Sequence, residues 1–335
     1  MLGSEVRRLR QERGLTQAQL AARAGVSRQL VGAVEAGRHL PRVDAAAGLA
    51  GALGTSVEGL LHPTVAQAPA RGVVADPPEG ALVRVGRVGD RLVCAGSARD
   101  GEGWADADAV VRDGTVELLD RERPAAVVAG CEPALGLAGR LVEGDAGPRV
   151  VAVAASTAAA IDARAGGRAH AVAVHGPEGR LPRPPQGVAR WRLARWQVGL
   201  AADAERSDAW AEAALAGRVA VVQREAGAGS QAAFERARQS PSPAPGPRAA
   251  GHLEAAWRAA SDGLVAVTIE PSATALGLAF HPLETHASEL WVTTAHRGLP
   301  AVEAYLDELT GPRLHRRLEA IGGYDLADWG VEVPA

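Results

Sequence analysis

The sequence of 335 residues predicts a multidomain protein, in which an all-α domain of five helices precedes a larger α/β region. Two observations predict this fold class. Residues 16–37 read as two short helices joined by a tight turn, and helical periodicity continues over residues 4–13 and 41–61. From residue 124 onward, short apolar strands alternate with helices, which is typical of parallel sheets with right-handed crossovers.

The two helices of residues 16–37 carry clear start and stop signals. Thr16 and Gln19 have the spacing of a capping box, Gly25 ends the first helix, and Ser27 precedes the second. The apolar positions of the second helix recur at helical spacing, so that its polar residues face outward. The pattern therefore predicts an exposed polar surface at the N-terminal end of the second helix.

That surface carries side chains suited to the major groove of DNA. Arg28, Gln29 and Gly32 lie on the exposed part of the second helix. Arg pairs bidentately with guanine and Gln with adenine, and a recognition helix presents its N-terminal part to the bases. An ordinary helical hairpin with a polar face is the alternative.

Residues 1–62 resemble the lambda-repressor-like, XRE-type helix-turn-helix domain, in the stretches LRQERGLTQAQLAARAGVSRQLVGAVEAGRHLPRVD and LAGALGTSVEGLL. The resemblance implies that Arg28, Gln29 and Gly32 face bases, and that Gln17 and Arg38 lie at backbone phosphates. Ser27, at the start of the recognition helix, completes the predicted DNA-binding set.

The charge distribution agrees with DNA contact at one end of the chain. Residues 1–62 contain eight Arg and five Asp or Glu, so that they carry +3, and the net charge of −3 leaves −6 on the remainder. Neither Cys94 nor Cys131 has the spacing of a metal site. With no signal peptide and no run of membrane-spanning length, we expect a cytoplasmic protein with reduced thiols and no membrane partner.

Composition divides the rest of the chain into three parts. Residues 63–80 are rich in Pro and Gly and predict a linker. Residues 81–123 predict a β-rich connecting segment with a hairpin turn at Gly89-Asp90. Residues 124–335 then form the predicted α/β ligand-binding domain.

A second candidate site lies where buried strands end and helices begin. Three such junctions are Gly130-Cys131-Glu132, Ala155-Ser156-Thr157 and Gly227-Ala228-Gly229-Ser230. Helix N-termini bind anions, and ligands of open parallel sheets bind beyond the carboxyl ends of the strands. The predicted ligand-binding residues are Cys131, Glu132, Ser156, Thr157, Arg224, Gly229 and Ser230.

Residues of about 124–330 resemble the periplasmic-binding-protein-like domain that is fused to helix-turn-helix regulators, in stretches such as VVAGCEPALGLAGRL, VVQREAGAGSQAAFER and IGGYDLADWG. The resemblance implies two lobes that close over a small ligand, with the chain crossing between them near residues 176–188 and 271–283. It also implies an oxyanion ligand such as molybdate or tungstate. One departure is Ser230-Gln231 in place of the family's Thr-Arg, for which Arg224 could compensate.

Neither a metal site nor a catalytic centre is predicted. His170 and His175 are five residues apart in a strand and point to opposite faces, and His281 and His286 have the same spacing. Cys131 precedes a helix, but the sequence places no base beside it. His252, near a helix start, could reach a ligand, but a structural role is favoured.

The resulting hypothesis is a ligand-responsive transcriptional regulator, a homodimer that binds double-stranded operator DNA and senses an oxyanion. No cofactor is expected. One alternative is that the lobes bind a small organic carboxylate. The other is an enzyme that its own DNA-binding domain regulates.

Overall fold

A computed structural model describes residues 2–61, 68–96, 106–119, 124–143, 148–205, 209–239 and 242–334. The chain divides into two compact units, Met1–Gln67 and Ala68–Ala335. Parts of the predicted linker and connecting segment, residues 63–67, 97–105 and 120–123, lie outside the described residues. Within the described residues, no helix has both the length and the apolar character needed to cross a membrane.

The N-terminal unit contains the five predicted helices, α1 Leu2–Glu12, α2 Gln17–Ala24, α3 Arg28–Glu35, α4 Val43–Ala52 and α5 Val57–Leu61. Their apolar faces meet in one core, where Leu20, Val31, Leu49 and Leu53 are fully buried. This confirms the all-α fold of the N-terminal region.

The C-terminal unit begins with a small antiparallel sheet. Its strands are β1 Ala68–Pro69, β2 Leu82–Val88, β3 Arg91–Gly96, β4 Ala109–Arg112 and β5 Thr115–Leu118, in the order β1-β5-β4-β2-β3. The prediction of a linker over residues 63–80 is thus wrong from residue 68 onward, because Ala68 and Pro69 pair with β5. The expected hairpin at Gly89-Asp90 joins β2 to β3.

The described part of residues 81–123 packs against the α/β fold that follows it. Val88 and Val93 pack into the same core as Val127 and Val151 of the following α/β fold. Gly86 allows the close approach, because a Cβ there would lie 2.5 Å from Cγ2 of Val127. The small sheet is therefore a fixed layer of the C-terminal unit.

Nine strands of the described residues form the main sheet, in the order β11-β10-β12-β9-β13-β8-β6-β7, with β14 paired to β9. The strands are β6 Ala125–Gly130, β7 Arg149–Ala154, β8 Ala171–Pro177, β9 Val188–Ala202, β10 Val221–Arg224, β11 Arg248–Ala249, β12 Val265–Ile269, β13 Ala279–Thr293 and β14 Glu332–Val333. The helices are α6 Pro133–Glu143, α7 Thr157–Ala165, α8 Trp210–Leu215, α9 Gly229–Ala237, α10 His252–Asp262, α11 Glu270–Thr274, α12 Pro300–Leu309 and α13 Pro312–Ile321.

Two parallel groups of strands define two lobes. In lobe 1, β6 is parallel to both β7 and β8. In lobe 2, β10 is parallel to both β11 and β12. The long strands β9 and β13 are antiparallel to each other and join the two groups.

These long strands correct the predicted crossovers. β9 is next to lobe 2 only from Val198, where it pairs with β12, and β13 is next to lobe 1 from His286, where it pairs with β8. The chain therefore changes lobes inside the two strands, later than the predicted ranges 176–188 and 271–283. The Pro-rich stretch of the first range is the loop between β8 and β9.

Candidate DNA interface and ligand site

Local capping fixes the turn between α2 and α3. The Thr16 hydroxyl accepts from the Gln19 amide and the Gln19 side chain accepts from the Thr16 amide, a complete capping box. Gly25 has a φ of 66°, which ends α2 in the left-handed conformation that favours glycine. The Ser27 hydroxyl accepts from the Leu30 amide at 3.1 Å and so starts α3.

The N-terminal unit has a concave surface that borders a cleft of about 590 Å³. The residues that line it are Gln17, Arg28, Gln29, Gly32, Ala33 and Arg38. Five of the six predicted DNA-binding residues thus lie together on one surface. The sixth, Ser27, caps α3 beside it, and Ala33 is an addition that sequence reasoning missed. Arg28 and Gln29 are exposed, so both side chains are available to a ligand.

A buried carboxylate at the end of α3 is hydrogen-bonded to residues of α1 and α2. Glu35 accepts from Nε of Arg10 at 2.6 Å and from the side-chain amide of Gln17 at 2.9 Å. Burial alone raises the pKa of Glu35, but the hydrogen bonds from Arg10 and Gln17 outweigh it and hold that pKa below its usual value. Glu35 is therefore ionised at neutral pH and orients Gln17 at the start of α2.

The second site is a group of buried polar side chains between the lobes, here called the interlobe cluster. Its members are Cys131, His175 and His286 on the lobe 1 side, with Arg224, Ser230 and His252 on the lobe 2 side. Each comes from a strand end, a helix start or the crossover strand β13. The cluster therefore lies where the parallel strands of both lobes end.

The lobes touch across this cluster. A Cβ built on Gly229 would lie 3.2 Å from Cε1 of His175 and 3.3 Å from Cε1 of His286. Ala154, at the end of β7, faces Gly251 at the start of α10, where a Cβ would lie 3.6 Å from that of Ala154. The two lobes are thus in contact at this cluster in the described structure.

Arg224 provides the charge of the cluster. Its side chain is fully buried, Nη1 lies 2.9 Å from Nδ1 of His252, and Nη2 lies 3.1 Å from the Glu225 carboxylate. A guanidinium group only donates, so Nδ1 of His252 accepts, and the proton of the neutral ring is on Nε2. Burial first, and then the charge of Arg224, lower the pKa of His252 well below its ordinary value.

Some hydrogen-bond donors of the cluster have no partner among the described residues. Among the described residues, neither Nε2 of His252 nor the hydroxyl of Ser230 has a partner, although both are buried. Ser230 is in the first turn of α9, and no described side chain caps that helix. Unpaired buried donors beside a guanidinium group favour a bound anion, because an anion would satisfy the donors.

Cys131, His175 and His252 each bring a possible metal-ligating atom within 4.8 Å of the other two. The Arg224 guanidinium, however, uses the lone pair at Nδ1 of His252 and places a positive charge beside the group. Burial, only partly offset by Arg224, raises the pKa of Cys131 to about 12, so it remains a thiol. These features favour an anion over a cation.

The other predicted ligand residues make hydrogen bonds within the protein. Ser156 caps α7 by accepting from the Ala159 amide, while the Thr157 hydroxyl both accepts from the amide of His175 and donates to its carbonyl. Thr157 therefore holds His175 in place and has no donor left for a ligand. The Glu132 carboxylate accepts from the Ala134 amide and from Tyr324, and burial raises its pKa to about 7.

The predicted ligand-binding set leaves out the three histidines of the cluster. His175 and His286 are 111 residues apart in the chain, and their Nδ1 atoms lie 2.9 Å apart. His170, by contrast, accepts from the Val127 amide on the other face of β8, so the expectation that it does not share a site with His175 holds. The available signal was that His175 and His252 occupy a strand end and a helix start, like the residues that were predicted.

The position after Ser230 also differs from the family pattern in a way the structure explains. The Gln231 side chain accepts from the Arg224 amide at 2.9 Å and donates to the Gln223 side chain. It therefore fixes β10 against α9, and the cation of the cluster is supplied by Arg224 at the end of β10.

Two family models match the chain. The helix-turn-helix model HTH_3 matches residues 6–60, and the PBP superfamily domain matches residues 139–310, just over half of the chain. Over 64 residues the chain is 45% identical to an uncharacterized HTH-type transcriptional regulator, y4dJ, of Sinorhizobium fredii. The aligned stretch covers 19% of this chain and 83% of that protein.

Solved structures similar to each unit are known. One is the restriction-modification controller protein C.AhdI from Aeromonas hydrophila, with 36% identity, 18% of this chain and 89% of that chain covered, and a TM-score of 0.17. Another is an ABC-type phosphate transport receptor from Vibrio cholerae, with 11% identity, 60% and 99% covered, and a TM-score of 0.40.

The family matches agree with the two units of the fold. The concave surface lies in the region matched by the helix-turn-helix model, and most of the interlobe cluster lies in the region matched by the PBP superfamily. The chain therefore belongs to the PBP superfamily and, through its N-terminal unit, to the XRE-type helix-turn-helix transcriptional regulators.

Proposed function

We propose that this transcriptional regulator binds operator DNA through the concave surface. It responds to an oxyanion, such as molybdate or tungstate, that binds to the interlobe cluster. It acts as a homodimer. Because it binds DNA, it acts in the cytoplasm. Ligand capture changes the arrangement that the two DNA-binding units of the dimer adopt, so ligand and DNA affinities are linked.

The concave surface supports the DNA part of this proposal. Arg28 and Gln29 stand exposed in the first turn of α3, where an Arg can pair with guanine and a Gln with adenine. Gly32 leaves room for the groove wall, and Arg38, just beyond α3, is suited to a phosphate.

One test is selection of binding sites from a random DNA library, followed by affinity measurements on single-base variants of the selected site. Arg28→Ala or Gln29→Ala should cost about 1–3 kcal/mol and relax specificity at one base position. Arg23→Ala, which removes the same charge from an exposed position outside the concave surface, is the matched control. An unchanged base preference in both test variants would refute the groove assignment.

The observation that carries the ligand proposal is the buried Arg224 with two unpaired donors, His252 Nε2 and the Ser230 hydroxyl, at the uncapped start of α9. An oxyanion accepts several hydrogen bonds at once and carries the charge that Arg224 attracts. A small organic carboxylate uses the same donors and is the second candidate.

The enzyme alternative is weaker on chemical grounds. Its nucleophile would be Cys131, yet burial raises the pKa of this thiol to about 12, whereas a nucleophilic cysteine needs a lowered pKa. A turnover assay over the ligands that bind would separate this alternative from a sensor.

The ligand is tested by thermal unfolding of the full chain with molybdate, tungstate, sulfate, phosphate and small carboxylates. A ligand at one hundred times its Kd stabilises the folded state by about 2.7 kcal/mol. Ser230→Ala should reduce the shift, whereas Ser261→Ala, at an exposed serine of α10, should leave it intact. A shift with carboxylates alone would replace the oxyanion by an organic acid, and no shift with any compound would refute the proposed site.

A further inference from the structure

His175 and His286 share a single hydrogen between them. Their Nδ1 atoms are 2.9 Å apart and both side chains are buried, so in the neutral pair one Nδ1 carries the proton and the other accepts it. Because this contact occupies Nδ1 of His175, Nε2 is the remaining nitrogen of that ring. Whether that nitrogen donates or accepts depends on which ring holds the shared proton.

The nearby charge of Glu284 favours one of the two arrangements. Its carboxylate lies 3.6 Å from Nε2 of His286 and also pairs with Arg236. A carboxylate favours a proton on the nitrogen that faces it, so His286 carries its proton on Nε2 and accepts at Nδ1. His175 then donates from Nδ1 and is left with a lone pair at Nε2, which repels an anion.

No free positive charge beside the two histidines, among the described residues, is available to balance the negative charge of an incoming anion. Arg224 already faces the Glu225 carboxylate at 3.1 Å. The titratable and charged groups that face the two rings from the surrounding elements are Cys131, Arg224, His252, Glu284 and Arg236. Of these, the thiol and the arginines cannot supply further positive charge, and His252 is held neutral beside Arg224.

We propose that anion binding is coupled to the uptake of one proton by the His175–His286 pair, an inference that rests on the proposed function. This proton turns His175 into a hydrogen-bond donor to the ligand. One solvent proton adds to Nε2 of His175, and the shared proton moves from Nδ1 of His175 to Nδ1 of His286. The positive charge then rests on His286 beside Glu284. His286 is thus a positioning residue, and His175 is the one that contacts the anion.

Without ligand the pair is neutral. Burial first, then the neighbouring His286 and Arg224, lower the pKa of His175 to about 3, and burial also lowers that of His286 in spite of Glu284. A bound anion reverses this balance, because a nearby negative charge favours the protonated imidazole. The anion and the proton therefore bind together.

The test is calorimetric titration of the full chain with molybdate at pH 7.5, in two buffers that differ in ionisation enthalpy. The difference in observed heat gives the number of protons taken up, and we expect about one per bound anion in the wild type. The Kd should accordingly rise by about tenfold per pH unit above neutrality.

Two variants separate this role from a structural one. His286→Asn retains a polar partner for His175 but does not titrate, so proton uptake should disappear and the Kd should no longer depend on pH. Glu284→Gln removes the bias on the shared proton, so binding should continue with less proton uptake. His281→Asn, at an exposed position of the same strand, should behave as the wild type.

Binding without proton uptake in the wild type, or undiminished uptake in His286→Asn, would overturn the coupling and leave the oxyanion proposal standing. No binding of molybdate, tungstate, sulfate or phosphate to the wild type would overturn both.

Discussion

Nη1 of Arg224 lies 2.9 Å from Nδ1 of His252, and both side chains are buried where β10 ends and α10 begins. Because a guanidinium group cannot accept a hydrogen bond, this contact makes His252 a donor through Nε2. A positive charge and an oriented N–H group thus lie side by side between the lobes. The relationship gives lobe 2 the electrostatic character of an anion site.

Arg224→Gln should weaken oxyanion binding by about 10- to 100-fold, since a hydrogen bond to a charged group contributes about 1.5–3 kcal/mol. Calorimetric titration of the full chain measures the loss. Arg218→Gln removes the same charge from an exposed position in the loop before β10 and should retain nearly wild-type affinity. Equal affinities of wild type and Arg224→Gln would show that the anion binds elsewhere.

Gly229→Ala should hinder closure of the lobes. The added methyl group would lie 3.2 Å from Cε1 of His175 and 3.3 Å from Cε1 of His286, closer than most side-chain contacts, and both rings are buried. We expect at least tenfold weaker anion binding with retained secondary structure by circular dichroism. Gly136→Ala, on an exposed face of α6 with open space at Cβ, should bind normally. Unimpaired binding by Gly229→Ala would mean that the ligand-bound lobes do not close as described.

Gly32→Ala should separate stability from DNA binding. A Cβ at Gly32 would meet only the Gln17 side chain, at 3.8 Å, so alanine fits within α3. Replacing a mid-helix glycine by alanine should stabilise the N-terminal unit by about 0.5–1 kcal/mol, while the methyl group obstructs the concave surface. Thermal unfolding and DNA affinity measure the two effects. A stabilised variant with unchanged DNA affinity would remove Gly32 from the interface.

The C-terminal unit should lose stability as the pH falls from 7.5 to 5.5. Burial lowers the pKa values of His170, His175, His252 and His286, so below about pH 6.5 the unfolded chain binds more protons than the folded one. The cost is about 1.4 kcal/mol per histidine and pH unit. Glu132, with a pKa raised to about 7 by burial, opposes this trend as a single group against four.

Thermal unfolding at three pH values tests this pH dependence, and His252→Asn should make it shallower. A melting temperature that stays constant or rises on acidification would contradict the neutral state of the buried histidines.

The predictable parts of the fold were those with local causes. Thr16, Gly25 and Ser27 act within a few residues of their own positions, so their pattern identified α2, the turn and α3 correctly. The same is true of the strands that end at Gly130 and Ala154, whose apolar runs are followed at once by helices.

The parts that sequence reasoning missed depend on distant pairing. Residues 68–69 look like linker because a two-residue strand has no periodicity, and only pairing with β5 makes it one. The length of β9 and β13 follows from their pairing with each other across both lobes. His175 and His286 meet across 111 residues, which no local spacing could indicate.

The most direct test of the account is the affinity of the full chain for a selected DNA site, measured by fluorescence anisotropy with and without a saturating oxyanion. Linkage between the two units predicts a change of at least about fivefold in the Kd for DNA. It also predicts that Arg224→Gln binds anion-free DNA normally but no longer responds at that anion concentration. An identical Kd for DNA with and without bound anion would contradict the claim that this protein is an oxyanion-responsive regulator.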